Sequence, residues 1–166
     1  MGQNFEERAK PLNVATDLPE RSSFLELKLN LCDPNRIPLG DDQVVKVVKN
    51  VLTRAGLFGS EFLYSAFSPA ALDTVKQLGT YRTNHDGSPK KKVFCNELNG
   101  NVIGYKNETL VEAVVARGDN RRGIGFFIVY DRAKLDPARI SSHGEFVFRE
   151  PNNKKAAILA IVEVKF

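Results

Sequence analysis

The sequence predicts an α+β domain in which a mixed, mainly antiparallel sheet packs with about three helices. At positions 25–31 leucines alternate with polar residues, which is typical of a half-buried strand. Residues 42–55 carry an apolar stripe at helical spacing. From residue 124 onward, apolar and β-branched runs follow one another without room for full crossover helices, which favours antiparallel pairing.

The length and composition of the chain indicate one domain. It has 166 residues, of which 42% are hydrophobic, and this is enough for a sizeable core. The same composition excludes wholesale disorder and collagen-like repetition. Residues 1–22 are polar, lack a period and contain Pro11 and Pro19, so we expect an N-terminal arm followed by a single domain over residues 23–166.

Charge and cysteine content exclude several classes of protein. The 24 basic and 20 acidic residues give a net charge of +4, which permits an anionic partner but does not indicate a dedicated nucleic-acid binder. No run approaches the roughly 18 apolar residues that span a bilayer, and residues 1–10 are polar, so we expect a cytoplasmic protein without membrane contact. Cys32 and Cys95 lie far apart and outside any CxxC motif, which predicts neither a disulfide framework nor a zinc site.

Turn and capping residues delimit the first strand and the first helix. The strand ends at residues 33–36, where Asp-Pro-Asn-Arg favours a turn. Asp41 and Asp42 precede the apolar stripe and suit the positive end of a helix, while Gly56 suits its termination. We therefore expect the first helix over residues 42–55.

A second strand and helix follow directly. Residues 61–67 are strand-like, and Ser68 followed by Pro69 is typical of a helix start. The helix is expected to reach about Leu78 and to end at Gly79.

The second half of the chain is predicted to be strand-rich. Residues 93–95 form a brief strand, and residues 108–116 form a third helix. Residues 124–130, 145–148 and 157–166 have the composition of central strands of one sheet.

Two groups of basic residues are candidates for phosphate binding if their loops converge. The first group is Arg82, Lys90, Lys91 and Lys92, and the second is Arg117, Arg121 and Arg122. The loop over residues 80–92 is long for a compact domain and is a candidate lid or recognition loop, in which Tyr81 offers a stacking surface. A solvated rim of charges is the alternative that this pattern leaves open.

Neither a phosphate-binding loop nor a metal site is indicated. The sequence has no GxxxxGK[ST] motif and no GxGxxG motif between a strand and a helix. His85 and His143 both stand in polar, turn-like contexts that are typical of solvated imidazoles. No further cluster of potential ligands accompanies His85 and Asp86, so we predict no metal.

Glu145 is the most informative carboxylate. It opens a strand whose alternate residues are apolar. A carboxylate at a strand edge that faces a cleft can accept a hydrogen bond from a ribose hydroxyl or stabilise a cationic sugar centre. The alternative is an exposed glutamate at a strand end.

Taken in order, the segments over residues 61–166 resemble the ADP-ribosyltransferase superfamily, in particular its poly-ADP-ribose polymerase and diphtheria-toxin-like branch. Residues 62–68, the helix over residues 70–78 and Gly79 resemble that family's first strand, helix and glycine. The later segments that carry the resemblance are residues 93–105, the second strand and aromatic segment; residues 123–135, a core strand; residues 144–148, the strand with the family's glutamate; and residues 156–164, the succeeding core strand.

The resemblance implies a split sheet and a function. In that family nicotinamide lies in a cleft between two half-sheets, where an aromatic residue stacks on it and a glutamate positions the ribose. Carried over to this chain, the aromatic residue is Tyr105 and the glutamate is Glu145. Where the family's first strand offers a histidine or arginine to the cofactor, this chain has Tyr64 and Ser65. The resemblance therefore implies an NAD-dependent ADP-ribosyltransferase that modifies a protein or nucleic acid, with Glu145 catalytic and Tyr64, Ser65 and Tyr105 binding the cofactor.

Two other classes of function remain open. In one, the scaffold is a non-catalytic module whose basic loops contact nucleic acid or an acidic protein surface, with affinity that falls steeply with salt. In the other, the chain is an assembly subunit, with the long apolar strand ending at Phe166 near a protein interface.

Overall fold

A computed structural model describes residues 24–81, 85–86, 93–95, 109–135, 139–140, 146–148 and 157–166. Within these residues the architecture is α+β, as predicted. The strands are β1 (Leu25–Asn30), β2 (Phe62–Phe67), β3 (Val93–Cys95), β4 (Ile124–Asp131), β5 (Arg139–Ile140), β6 (Phe146–Phe148) and β7 (Ile158–Lys165). The helices are α1 (Asp41–Arg54), α2 (Leu72–Leu78) and α3 (Leu110–Arg117). The predicted arm, residues 1–22, lies outside the described residues.

The larger sheet has four strands in the order β1-β7-β4-β2. Strands β1 and β7 are parallel, whereas β7 with β4 and β4 with β2 are antiparallel, so the sheet is mixed. The apolar runs at residues 124–130 and 157–166 are central strands of this sheet, as predicted. The third segment predicted for the same sheet, residues 145–148, instead contributes β6 to a second, smaller sheet, so that part of the prediction is wrong. Since β7 is hydrogen-bonded to β1 along one edge and to β4 along the other, it has no open edge for pairing with a further strand.

The first core lies between one face of this sheet and the helices α1 and α3. Leu27 and Leu29 of β1 pack there against Val44, Val48 and Leu52 of α1. This confirms the alternation predicted for the first strand and the stripe predicted for the first helix. Val45, which also belongs to the predicted stripe, lies at its margin and is 37% exposed.

Helix α3 begins two residues later than predicted because Thr109 caps it. The Thr109 hydroxyl accepts a hydrogen bond from the Glu112 backbone N–H at 3.0 Å, and the Glu112 carboxylate accepts one from the Thr109 N–H at 2.9 Å. The helix packs directly on β4: a Cβ added to Gly125 of that strand would stand only 2.5 Å from Cγ1 of Val114. Glycine at this position permits the close approach.

The second core lies on the opposite face of the larger sheet. It contains Leu63, Phe67, Ile128 and Tyr130 from β2 and β4, together with Val75 of α2. The Ser68 hydroxyl accepts a hydrogen bond from the Ala70 N–H at 3.3 Å and starts a single 3₁₀ turn that leads into α2. Gly79 ends α2 in the left-handed conformation at φ 78°, as its position in the sequence predicts.

The smaller sheet has three antiparallel strands in the order β3-β6-β5. Strand β3 lies next to β2, and its last residue, Cys95, is fully buried in the second core. The brief strand predicted at residues 93–95 is confirmed, whereas the two-residue strand β5 has no signal in the sequence. Cys32 and Cys95 are not joined in a disulfide bond. In the part of the chain that the structure describes, no helix combines the length and apolarity needed to cross a membrane.

Candidate functional site where the two sheets meet

Ser65 and Tyr81 form a polar pair at the boundary between the sheets. Because β2 alternates, Ser65 shares a face with Leu63 and Phe67 and points into the second core. Its hydroxyl lies 3.3 Å from the hydroxyl of Tyr81 and donates a hydrogen bond to it. Ser65 is almost fully buried, whereas Tyr81 is partly exposed, so the pair reaches from the core to the surface.

Aromatic rings support Tyr81 from the side. The rings of Phe67 and Tyr81 are nearly parallel, with centroids 6.4 Å apart and an interplanar angle of 12°. Phe67 in turn stacks on Phe126 of β4, with centroids 5.6 Å apart. These contacts and the hydrogen bond to Ser65 hold the Tyr81 ring in one orientation at the rim of the second core.

Tyr130 anchors the chain just before Tyr81. Its side chain is fully buried, and its hydroxyl donates a hydrogen bond of 2.9 Å to the Gly79 carbonyl. Burial raises the pKa of Tyr130 well above its ordinary value, and the nearby Cys95 and Tyr81 raise it further. The Tyr130 hydroxyl is the donor that positions the turn after α2.

Tyr64 lies on the opposite face of β2 from Ser65. It is fully buried in the first core, and its hydroxyl donates a hydrogen bond to the Leu57 carbonyl. Burial raises the pKa of Tyr64 to about 12. Its side chain points into the first core, away from the boundary between the sheets, so we assign Tyr64 a structural role. Of the two first-strand candidates, only Ser65 faces the boundary between the sheets.

Arg121 and Arg122 lie in an exposed turn that Asp119 organises. Oδ1 of Asp119 accepts hydrogen bonds from the backbone N–H groups of both arginines, and its Oδ2 lies 2.8 Å from Nε of Arg122. Hydrogen bonds from Arg122, first from its side chain and then from its backbone, lower the pKa of Asp119. Arg121 is exposed. The Phe166 N–H donates to the Gly123 carbonyl and ties the turn to the last residue of the chain.

The structure does not bring this basic turn next to Ser65. Arg121 and Arg122 precede the first residue of β4, whereas Ser65 pairs with Ile128 in the middle of that strand. Two separate surfaces are therefore present: the Ser65–Tyr81 pair where the sheets meet, and the turn at residues 119–123.

Several predicted site residues lie outside the described residues: Arg82, Lys90, Lys91, Lys92, Tyr105 and Glu145. For three of them the preceding or following residue is described. Tyr81 precedes Arg82, Val93 at the start of β3 follows Lys92, and Phe146 at the start of β6 follows Glu145. Phe146 pairs with Cys95, whose thiol is buried in the same core as Tyr130.

Sequence reasoning missed the link between Ser65 and Tyr81 and the anchoring role of Tyr130. The only signal for Tyr130 is a hydroxyl-bearing residue in an otherwise apolar strand, since a buried tyrosine needs a hydrogen-bond partner. The sequence does not reveal which carbonyl accepts that bond.

The described residues contain no group of three or more His, Cys, Asp or Glu side chains that could hold a metal ion. His85 is exposed, and His143 lies outside the described residues. No protein-family model, no curated protein and no solved structure matches this chain.

Proposed function

We propose that the chain is an ADP-ribosyltransferase-like domain that uses NAD to modify a protein or nucleic acid. The observation that carries this proposal is the meeting of two sheets at β2 and β3, with the Ser65–Tyr81 pair at the boundary. In the family that the sequence resembles, nicotinamide lies between two half-sheets. The position of β6 supports the same proposal, since it begins directly after Glu145 and pairs with β3.

The groups at the boundary have the chemistry that a nicotinamide ring requires. Its carboxamide both donates and accepts hydrogen bonds, and the hydroxyls of Ser65 and Tyr81 can do the same. The ring of Tyr81 adds an aromatic surface that is partly open to solvent. Ser65 thus stands where the family offers a charged or basic anchor, and its hydroxyl is neutral at every working pH.

The remaining roles belong to Tyr105 and Glu145. NAD supplies an ADP-ribosyl group when the bond between the ribose and the nicotinamide nitrogen breaks, with the bonding electrons leaving on nicotinamide. Tyr105 stacks on the nicotinamide ring. The Glu145 carboxylate accepts a hydrogen bond from the ribose and stabilises the positive charge that develops there. The acceptor then bonds to the ribose carbon and loses a proton.

Nicotinamide release tests this proposal. We expect the wild-type protein to release nicotinamide from NAD, and Glu145→Gln to reduce the rate by at least about a hundredfold, since it removes the negative charge but keeps the shape of the side chain. Glu61→Gln, at an exposed position beside β2, is the matched control and should retain the wild-type rate. Equal rates for wild type and Glu145→Gln would remove the catalytic assignment.

A second candidate function is nucleic-acid binding without catalysis, and the exposed, backbone-ordered turn with Arg121 and Arg122 favours it. Arg121→Ala should weaken binding of a labelled single-stranded oligonucleotide in fluorescence anisotropy and reduce its salt dependence. Lys46→Ala, an exposed charge on α1, is the control. Binding that is insensitive to salt and to Arg121→Ala would exclude this candidate.

A further inference from the structure

Strand β1 is an edge strand of the larger sheet in the described part of the chain. It pairs with β7 on one side, and no other described strand adjoins it. The Leu31 N–H donates to the Lys165 carbonyl, which shows that odd-numbered residues direct their backbone groups toward β7. The backbone groups of Glu26, Lys28 and Asn30 therefore point outward, and all three residues are exposed.

The exposed side chains of β1 alternate in charge. The Glu26 side chain is 68% exposed and makes a weak ion pair with Lys76 of α2, 3.5 Å away. Lys28, two residues further along the strand, is exposed on the same face. Charges on an edge strand usually oppose further pairing. A Glu and a Lys two residues apart are different, because in an antiparallel pair of identical strands the Glu of each strand can lie opposite the Lys of the other.

We propose that two copies of this chain associate through antiparallel pairing of their β1 strands. In the proposed register, Leu27 of one copy lies opposite Leu27 of the other at the two-fold axis. Glu26 of each copy then lies opposite Lys28 of the other. The larger sheet then continues across the axis as eight strands. The occupant of the β1 edge is a second copy because the strand is complementary to itself in charge.

Hydrogen-bond geometry and charge select the same register. If the register shifted by one residue, the outward-pointing backbone groups of one copy would face residues of the other copy whose backbone groups are already hydrogen-bonded to β7. A shift by two residues in one direction would place Lys28 opposite Lys28 of the second copy, and in the other direction it would place Glu26 opposite Glu26. Like charges that face each other across a strand pair are destabilising. Of these registers, only the proposed one satisfies both conditions, and it also sets Leu25 opposite Leu29 on the other face.

Charge reversal tests the proposal by sedimentation equilibrium over a wide range of protein concentration. The wild-type mass should rise toward twice the 18.5 kDa of one chain. Glu26→Lys and Lys28→Glu should each stay monomeric, since each places like charges opposite one another. An equimolar mixture of the two variants should recover the dimer, because every facing pair is again complementary, and so should the double variant.

Lys46→Glu makes the same charge change on the exposed side of α1 and should dimerise like the wild type. Circular dichroism verifies that each variant is folded. A wild-type protein that stays monomeric at every concentration would overturn the proposal. A dimer that persists in both single variants, or a mixture that stays monomeric, would overturn it as well.

Discussion

The Tyr130 hydroxyl donates a hydrogen bond to the Gly79 carbonyl and so joins β4 to the end of α2. Tyr81 lies two residues beyond Gly79, and its ring rests on Phe67 while its hydroxyl accepts a hydrogen bond from Ser65. A fully buried contact in the core thus determines where the chain leaves α2 and where the partly exposed aromatic ring lies.

Tyr130→Phe tests this anchor. The variant leaves the Gly79 carbonyl without its donor in a buried setting, so the free energy of unfolding should fall by about 1–3 kcal/mol. Urea unfolding measures this loss. A variant as stable as the wild type would contradict the anchoring role.

Ser65→Ala tests the polar pair at the boundary. The substitution removes one hydroxyl from a site that we assign to the carboxamide of nicotinamide, so the affinity for NAD should fall about tenfold, the equivalent of one net hydrogen bond. Calorimetric titration with NAD measures the change. Ser68→Ala is the control: it removes the cap of the turn before α2 and should lower stability by roughly 1 kcal/mol without changing NAD affinity. Equal NAD affinities for wild type and Ser65→Ala would exclude Ser65 from the site.

Alkaline pH should destabilise the protein through its buried tyrosines. The pKa of Tyr64 is about 12 in the folded protein and 10.0 in its ordinary state, so between these values the unfolded chain binds fewer protons. The stabilisation is complete below about pH 10 and is lost as the pH rises toward 12. Tyr130, whose pKa is also raised, acts in the same direction.

Tyr64→Phe isolates this effect. The unfolding free energy should decrease between about pH 9 and pH 11 in both proteins, but by roughly 1 kcal/mol less in the variant than in the wild type. The reason is that the variant lacks one of the two tyrosines whose pKa is raised by burial. Urea unfolding at both pH values gives the comparison. Parallel pH profiles would show that Tyr64 is accessible to solvent.

Gly123→Ala should disrupt the join between β4 and the C-terminal residue. Gly123 has φ +65°, and an added Cβ would stand 2.5 Å from the Phe166 carbonyl oxygen, so the variant combines backbone strain with a clash against backbone. We expect a loss of about 2 kcal/mol or more in thermal unfolding. Gly40→Ser, at the open N-cap position before α1, should leave stability unchanged or improve it. A Gly123→Ala protein with wild-type stability would contradict this geometry.

Periodicity in the sequence was sufficient to predict the strands and helices that pack against a core on one face, such as β1 and α1. It was insufficient for β2, which is buried on both faces, because an apolar run does not indicate which face meets which core. The family resemblance names Tyr64 and Ser65 together, and the pattern of β2 does not indicate which of the two faces the boundary between the sheets. The parallel pairing of β1 with β7 and the contact of Ser65 with Tyr81 connect distant parts of the chain, and single-sequence patterns carry no signal for such contacts.

Titration of the wild-type protein with NAD, at low and moderate salt, is the most direct test of the central claim. We expect saturable binding at both salt concentrations, accompanied by release of nicotinamide. Absence of binding and of nicotinamide release at millimolar NAD would contradict the claim and leave the basic turn as the functional surface.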